Sequence, residues 1–210
     1  MSALLALIVT AAADPAKLPE GLRPVAADTG APGRFAEWRT GKGLAAAELA
    51  CDPALPGAVL LCFRIWEGDA RRWVTRDDLA RWGATTTDLR AGLLSEASRR
   101  IASAELVPIA GTTSTYLRLT DGDGWAASAV LAPGALAARL GATPGSIRVA
   151  LPAEGVLLAW LAGDADRDRI MTVGAREIYD RQPGSVSPAV FTWDGRVWTS
   201  FGEAVPRPLP

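Results

Sequence analysis

Histidine and asparagine are absent from this chain of 210 residues, which has one glutamine and two lysines, Lys17 and Lys42. Without histidine, the Ser-His-Asp and Cys-His catalytic arrangements lack their general base. The commonest side-chain ligand of transition metals is also missing, and the two cysteines cannot complete a structural zinc site. We therefore expect no cofactor, and we favour a protein without catalytic activity.

A strong net charge is lacking as well, since the formal charge is −1 and the isoelectric point is about 5.6. Binding to nucleic acid requires a basic face that displaces counterions, so we expect no nucleic-acid partner. The longest apolar run is too short to span a bilayer, so we expect no transmembrane segment. Hydrophobic residues make up 49% of the chain, which is enough for one buried core.

Residues 1–13 contain half of a secretory signal pattern. The apolar run Leu4–Ala13 ends in small residues, but no lysine or arginine precedes it. The sequence is therefore compatible with export, to the periplasm or the extracellular space, and equally with a cytoplasmic location. Cys51 and Cys62 would form a disulfide in an exported protein, and we favour the alternative of two buried thiols.

The remaining chain divides into three parts. A Pro-, Gly- and Ala-rich arm at 14–46 is expected to be loosely ordered, a single domain covers 47–204, and a Pro-rich tail covers 205–210. Apolar patterning predicts strands at 47–51, 59–66, 105–109, 115–120, 147–151 and 156–161, with a turn-rich break at 52–57. It also predicts helices after Thr75 and Thr85 and at 133–140 and 166–181, with capping boxes at the first two.

Phe191–Trp198 (FTWDGRVW) predicts a hairpin in which Asp194 and Gly195 form a type I′ turn. Together these elements predict an α+β fold, a mostly antiparallel sheet with helices packed on one face. We find no internal repeat and no heptad pattern.

Four stretches of the chain resemble the YtpQ-like proteins, a bacterial family of unknown function. They are VTRDDLARWGATTTDLRAGLL, DGWAASAVL, VALPAEGVLLAWLAGD and VSPAVFTWDGRVW, and together they cover roughly residues 74–198. The resemblance implies the fold and implies no activity.

Two groups of carboxylates are weak candidates for a metal site and for a catalytic site. Asp164, Asp166 and Asp168 alternate as calcium ligands do, although solvated charges at the start of a helix explain them better. Asp121 and Asp123 have the composition of an acid/base pair, but their Asp-Gly-Asp-Gly context is typical of a tight turn, which explains them much better. A carboxylate-dependent hydrolase is therefore our alternative function.

Eight tryptophans are many for this length, and exposed tryptophans provide rigid faces for ligands. We expect most of them in the core, Trp193 paired with Trp198 across the hairpin, and Trp125 exposed beside the acidic turn. Ser128 is expected to pack or to cap. Asp123, Trp125, Ser128 and Trp193 are the candidate binding residues of a non-catalytic binding or accessory module for a protein or a small ligand. The tail segment Pro206–Pro210 is able to adopt polyproline II and be bound by a partner, and a frayed terminus explains its composition equally well.

Overall fold

Two antiparallel sheets form the framework. The computed structural model describes residues 23–28, 48–56, 59–67, 70–120, 125–143, 145–182 and 184–203. The smaller sheet contains β1 (Arg23–Asp28), β2 (Cys51–Leu55), β3 (Val59–Glu67) and β4 (Ala70–Trp73). Its central strand is β3, with β1 on one edge and both β2 and β4 paired to β3.

The larger sheet has six strands in the order β10-β9-β7-β8-β6-β5, and every neighbouring pair is antiparallel. The strands are β5 (Glu105–Pro108), β6 (Thr115–Thr120), β7 (Ile147–Ala153), β8 (Val156–Leu161), β9 (Ala189–Trp193) and β10 (Trp198–Glu203). The predicted α+β class and the mostly antiparallel sheet are confirmed.

The helices are α1 (Arg76–Trp82), α2 (Thr86–Ala102), a 3₁₀ helix (Ala126–Leu131), α3 (Pro133–Arg139) and α4 (Ala165–Arg181). Both predicted capping boxes are present, one at Thr75 with Asp78 and one at Thr85 with Asp88. Each threonine hydroxyl accepts a bond from the backbone N–H three residues later, and the aspartate accepts one in return.

Helices cover both faces of the larger sheet, and not one face as the sequence suggested. Leu157 and Ala159 of β8 belong to the main core, which also contains buried residues of β3, α2, the 3₁₀ helix and α3. Leu158 and Trp160 lie on the opposite face, in a smaller core with buried residues of α4. The reason is that β8 (VLLAWL) is apolar at every position and requires cover on both sides.

The N-terminal arm contains a strand that the sequence did not predict. Residues 23–28 form β1 and pair with β3 along their whole length. Their composition (RPVAAD) has no apolar alternation, so the strand depends on a partner that is distant in sequence.

The second strand begins where we expected it to end. Residues 51–55 form β2, although we had assigned 47–51 to a strand and 52–57 to a turn. Pro53 is compatible with β2 because this strand, among the residues that the structure describes, pairs with β3 alone and has a register shift before Leu55. Proline is tolerated at such edges and irregularities, where no ladder hydrogen bond is lost.

Cys51 and Cys62 form a disulfide, which corrects our preference for two free thiols. The two residues are direct partners in the β2–β3 ladder, and their Cα atoms are 4.1 Å apart. The flanking backbone bond from Phe63 to Ala50 identifies the cysteines as a non-hydrogen-bonded pair, in which side chains approach most closely. The sequence did not reveal this register.

The capping box of α2 gives a first test. We expect Thr85→Ala to lower the free energy of unfolding by about 1 kcal/mol, because the backbone N–H of Asp88 loses its acceptor, the Thr85 hydroxyl. Thr87→Ala is the control, since Thr87 is exposed in the first turn of the same helix. Urea denaturation followed by circular dichroism measures both, and equal effects of the two substitutions would contradict the role of the cap.

Candidate binding grooves

One surface depression in the described part of the chain lies between the two sheets and is named here the Trp193–Trp198 groove. Its volume is about 440 Å³, within the range of roughly 300–1,000 Å³ that small-ligand pockets occupy. One wall is β2, a second is the β9–β10 hairpin, and the start of α3 and the end of the 3₁₀ helix complete it. The lining residues are Pro53, Ala54, Leu55, Pro56, Arg90, Val130, Leu131, Pro133, Trp193, Arg196, Val197 and Trp198.

The tryptophan pair is the aromatic part of this groove. Trp193 and Trp198 are direct partners in the β9–β10 ladder, and their ring centroids are 5.3 Å apart with the planes tilted by 56°. The predicted cross-strand pair is therefore confirmed. Trp198 Nε1 donates to the carbonyl oxygen of Val130 at 3.2 Å, which fixes the hairpin to the 3₁₀ helix. Both rings are half-buried and keep part of their surface open.

The loop between the two tryptophans has a different turn from the one we predicted. A type I′ turn requires a positive φ angle at Asp194, but within the described residues only glycines have one, Gly195 among them. The Asp194 carboxylate instead accepts the backbone N–H groups of Arg196 at 2.7 Å and Val197 at 2.8 Å. These bonds, that from Val197 first, lower the pKa of Asp194 below its ordinary value.

Two arginines supply the charge of the groove. Arg90 on α2 donates to Asp52 Oδ2 at 2.9 Å, so its charge is partly compensated. Arg196 is exposed, and its guanidinium makes no hydrogen bond or ion pair with the residues that the structure describes. The sequence did not identify either arginine, because Arg90 resembles any polar-face residue of α2 and Arg196 any loop residue.

A second, more polar depression of about 300 Å³, the Trp125 pocket, lies between the end of α2, β6 and the 3₁₀ helix. Trp125 is only 8% exposed, which corrects our expectation of an exposed ring. The guanidinium of Arg100 covers the ring at 4.8 Å. Ser128 is buried, as the packing alternative requires, and its hydroxyl donates to the carbonyl oxygen of Trp125, but it does not cap the 3₁₀ helix.

Arg100 at the rim of this pocket shares the carboxylate of Glu96 with Arg99. Hydrogen bonds of 2.6–2.7 Å from Arg99 and then Arg100 lower the pKa of Glu96 to about 2. A lowered pKa in the folded state stabilises the fold above the ordinary pKa of 4.5, and this contribution disappears as the pH falls towards 2.

A titration tests this assignment. We expect the side-chain carbon resonance of Glu96 to titrate near pH 2 in the native protein. In Arg99→Gln the midpoint should rise, because the donor that lowers the pKa of Glu96 most is lost, whereas Arg169→Gln on α4 should leave the midpoint unchanged. A midpoint at the ordinary value in the native protein would contradict the hydrogen-bonded cluster.

The three aspartates around the start of α4 do not meet at one point. Asp164 caps α4 through the N–H of Arg167, and Asp166 is exposed and lies 3.5 Å from Arg169. Asp168 is buried and accepts from Trp160 Nε1. The described residues contain no group of three potential metal ligands.

Candidate residues from the acidic turn, Asp121 and Asp123, lie outside the described residues. Of the other binding candidates, Trp125 and Ser128 line the Trp125 pocket and Trp193 lines the larger groove, so the structure separates them into two places. Neither depression is lined by Asp164, Asp166 or Asp168.

No family model, characterised protein or solved structure matches this chain. The resemblance to the YtpQ-like family therefore stays a prediction. None of the helices in the described part of the chain has the length and apolar character that a membrane crossing requires.

Proposed function

We propose that this domain is a non-catalytic binding module and that the Trp193–Trp198 groove is its binding site. The observation that supports the proposal is the half-buried tryptophan pair, held against the 3₁₀ helix and open to a groove with arginines at its margin. Tryptophan and arginine are the residues most enriched at binding hot spots, because they provide large contact areas and directed donors.

The chemistry of the groove favours binding over catalysis. Its lining residues carry no carboxylate, thiol, hydroxyl or imidazole, so the groove offers no side chain that exchanges a proton near neutral pH. We therefore assign the groove the capture of a ligand, and we assign the domain an accessory role.

The disulfide supports an exported location as part of the same proposal. Structural disulfides persist in oxidising compartments and are rare in the cytosol. Cys51 belongs to β2, the strand that also provides Pro53 and Leu55 to the groove, so the covalent bond holds one wall of the proposed site.

A ligand screen tests the proposal. Peptides, oligosaccharides and nucleotides are added to the full-length protein, and the melting temperature is measured for each mixture. A ligand that prefers the folded state raises the melting temperature. We expect a ligand whose affinity falls by at least about tenfold, roughly 1.4 kcal/mol, in Trp193→Ala.

Two further variants make this screen specific. Arg196→Glu changes an exposed loop residue of the groove and should weaken binding without loss of the fold. Thr199→Ala is the control, because Thr199 is exposed on β10, next to Trp198 but on the other face of the strand. If a ligand binds all variants as tightly as it binds the native protein, its binding site lies outside this groove.

A further inference from the structure

We infer that the ligand of the Trp193–Trp198 groove is an extended, proline-rich peptide segment with carboxylate side chains. This inference depends on the proposed function, because it specifies the ligand class of the same groove. It draws on three properties of the lining, namely its hydrogen-bonding capacity, its shape and its charge.

The side chains of the lining residues donate hydrogen bonds and do not accept them. Among the lining residues only the two arginines and the two tryptophans have polar side-chain atoms, and all of these atoms are N–H donors. A neutral sugar presents hydroxyls that require donors and acceptors together. A polyproline II segment suits a donor-only lining, because it presents carbonyl oxygens and its prolines have no N–H to satisfy.

The surfaces that the groove offers are flat and rigid. The lining combines two indole rings with Pro53, Pro56 and Pro133, so little side-chain freedom is lost when a ligand covers them. Proline-rich segments bind aromatic grooves of this kind because their own conformation is already extended and costs little entropy to order. A flexible, glycine-rich segment would lose this advantage.

The positive charge of the groove favours a peptide ligand that carries carboxylate side chains. Arg196 makes no side-chain hydrogen bond or ion pair with the described residues, and its interaction with the nearby Asp194 is coulombic, because that carboxylate accepts the N–H groups of its own loop. Arg90 retains one compensating carboxylate, Asp52. The open cationic group is thus Arg196, whose planar guanidinium binds a carboxylate with two parallel hydrogen bonds.

The test compares four peptide probes on the full-length protein by isothermal titration and by tryptophan fluorescence. The probes are acetyl-PPEPPEPP-amide, its glutamine counterpart PPQPPQPP, a glycine-serine counterpart GSEGSEGS, and PRPLP, the sequence at 206–210 of this chain. We expect the acidic proline peptide to bind best, and the glutamine peptide to bind about tenfold more weakly because the charge-assisted bonds are lost. The basic peptide should bind more weakly still, since its arginine meets Arg90 and Arg196.

Protein variants and salt give independent readouts. Arg196→Glu should remove the preference of the acidic peptide over the glutamine peptide, whereas Arg169→Glu, on α4 and away from the groove, should preserve it. Binding of the acidic peptide should weaken as salt rises, because exposed charges are screened.

The outcomes separate this inference from the proposed function. If an oligosaccharide or the basic peptide binds in a Trp193-dependent manner and at least as tightly as the acidic peptide, the ligand class is wrong and the groove remains the binding site. If no peptide, oligosaccharide or nucleotide shows Trp193-dependent binding, both the inference and the proposed function are overturned.

Discussion

Replacing Asp168 with alanine is expected to destabilise the domain by about 3–5 kcal/mol, the usual cost of removing one partner from a buried ion pair. Asp168 Oδ2 lies 2.6 Å from Arg148 Nη1, and both side chains are close to fully buried. Asp168 Oδ1 accepts the indole N–H of Trp160 at 2.8 Å. The substitution therefore leaves a buried charge and a buried donor without their acceptor.

The surroundings of Arg148 make this loss hard to relieve. Burial lowers the pKa of its guanidinium below the ordinary value, while Asp168 opposes the shift. The ring of Phe201 covers the guanidinium at 3.2 Å, and Trp160 is fully buried beside α4. Water cannot easily replace the missing carboxylate in this environment.

Guanidinium denaturation of matched variants measures the effect. Asp166→Ala is the control, because Asp166 lies two residues earlier on the same helix and is exposed, and we expect it to change stability by less than about 0.5 kcal/mol. The double variant Asp168→Leu with Arg148→Met removes both charges and should recover much of the lost stability. Equal stability of Asp168→Ala and the native protein would show that the buried pair does not form.

Local signals in the sequence predicted the parts of the fold that depend on neighbouring residues. The caps at Thr75 and Thr85 are determined over three positions, and the cross-strand contact of Trp193 with Trp198 over five. In each case the residues that make the interaction are close in the chain, so their types and spacing are enough.

Tertiary partners determined what the sequence did not predict. Arg167 is buried and donates to the carbonyl oxygen of Leu161 and to Ser114 Oγ, which joins α4 to the β5–β6 hairpin, and nothing in its local sequence indicates this role. Trp125 is buried because it belongs to the main core, whose members are distant in sequence, and Arg100 covers its ring. The groove itself combines residues 53–56, 90, 130–133 and 193–198, and no sequence pattern indicates that these four segments meet.

Breaking the Cys51–Cys62 bond is the second change with a large expected effect. The bond closes a loop with a sequence separation of 11 residues, and loops of this size stabilise a fold by about 3 kcal/mol through the restricted unfolded chain. We expect the loss of stability to come mainly from the smaller sheet, because the disulfide joins β2 to the central strand β3.

Thermal unfolding with and without a phosphine reductant measures this contribution, and thiol trapping with mass spectrometry reports the redox state of the native protein. The control is Cys51→Ala with Cys62→Ala, whose stability should match that of the reduced protein and should not respond to the reductant.

Reduction should also weaken ligand binding, because β2 forms one wall of the Trp193–Trp198 groove. Asp168→Ala, by contrast, acts on the opposite face of the larger sheet. Identical stability of the oxidised and reduced protein would contradict a structural role for the disulfide and would remove its support for an oxidising compartment.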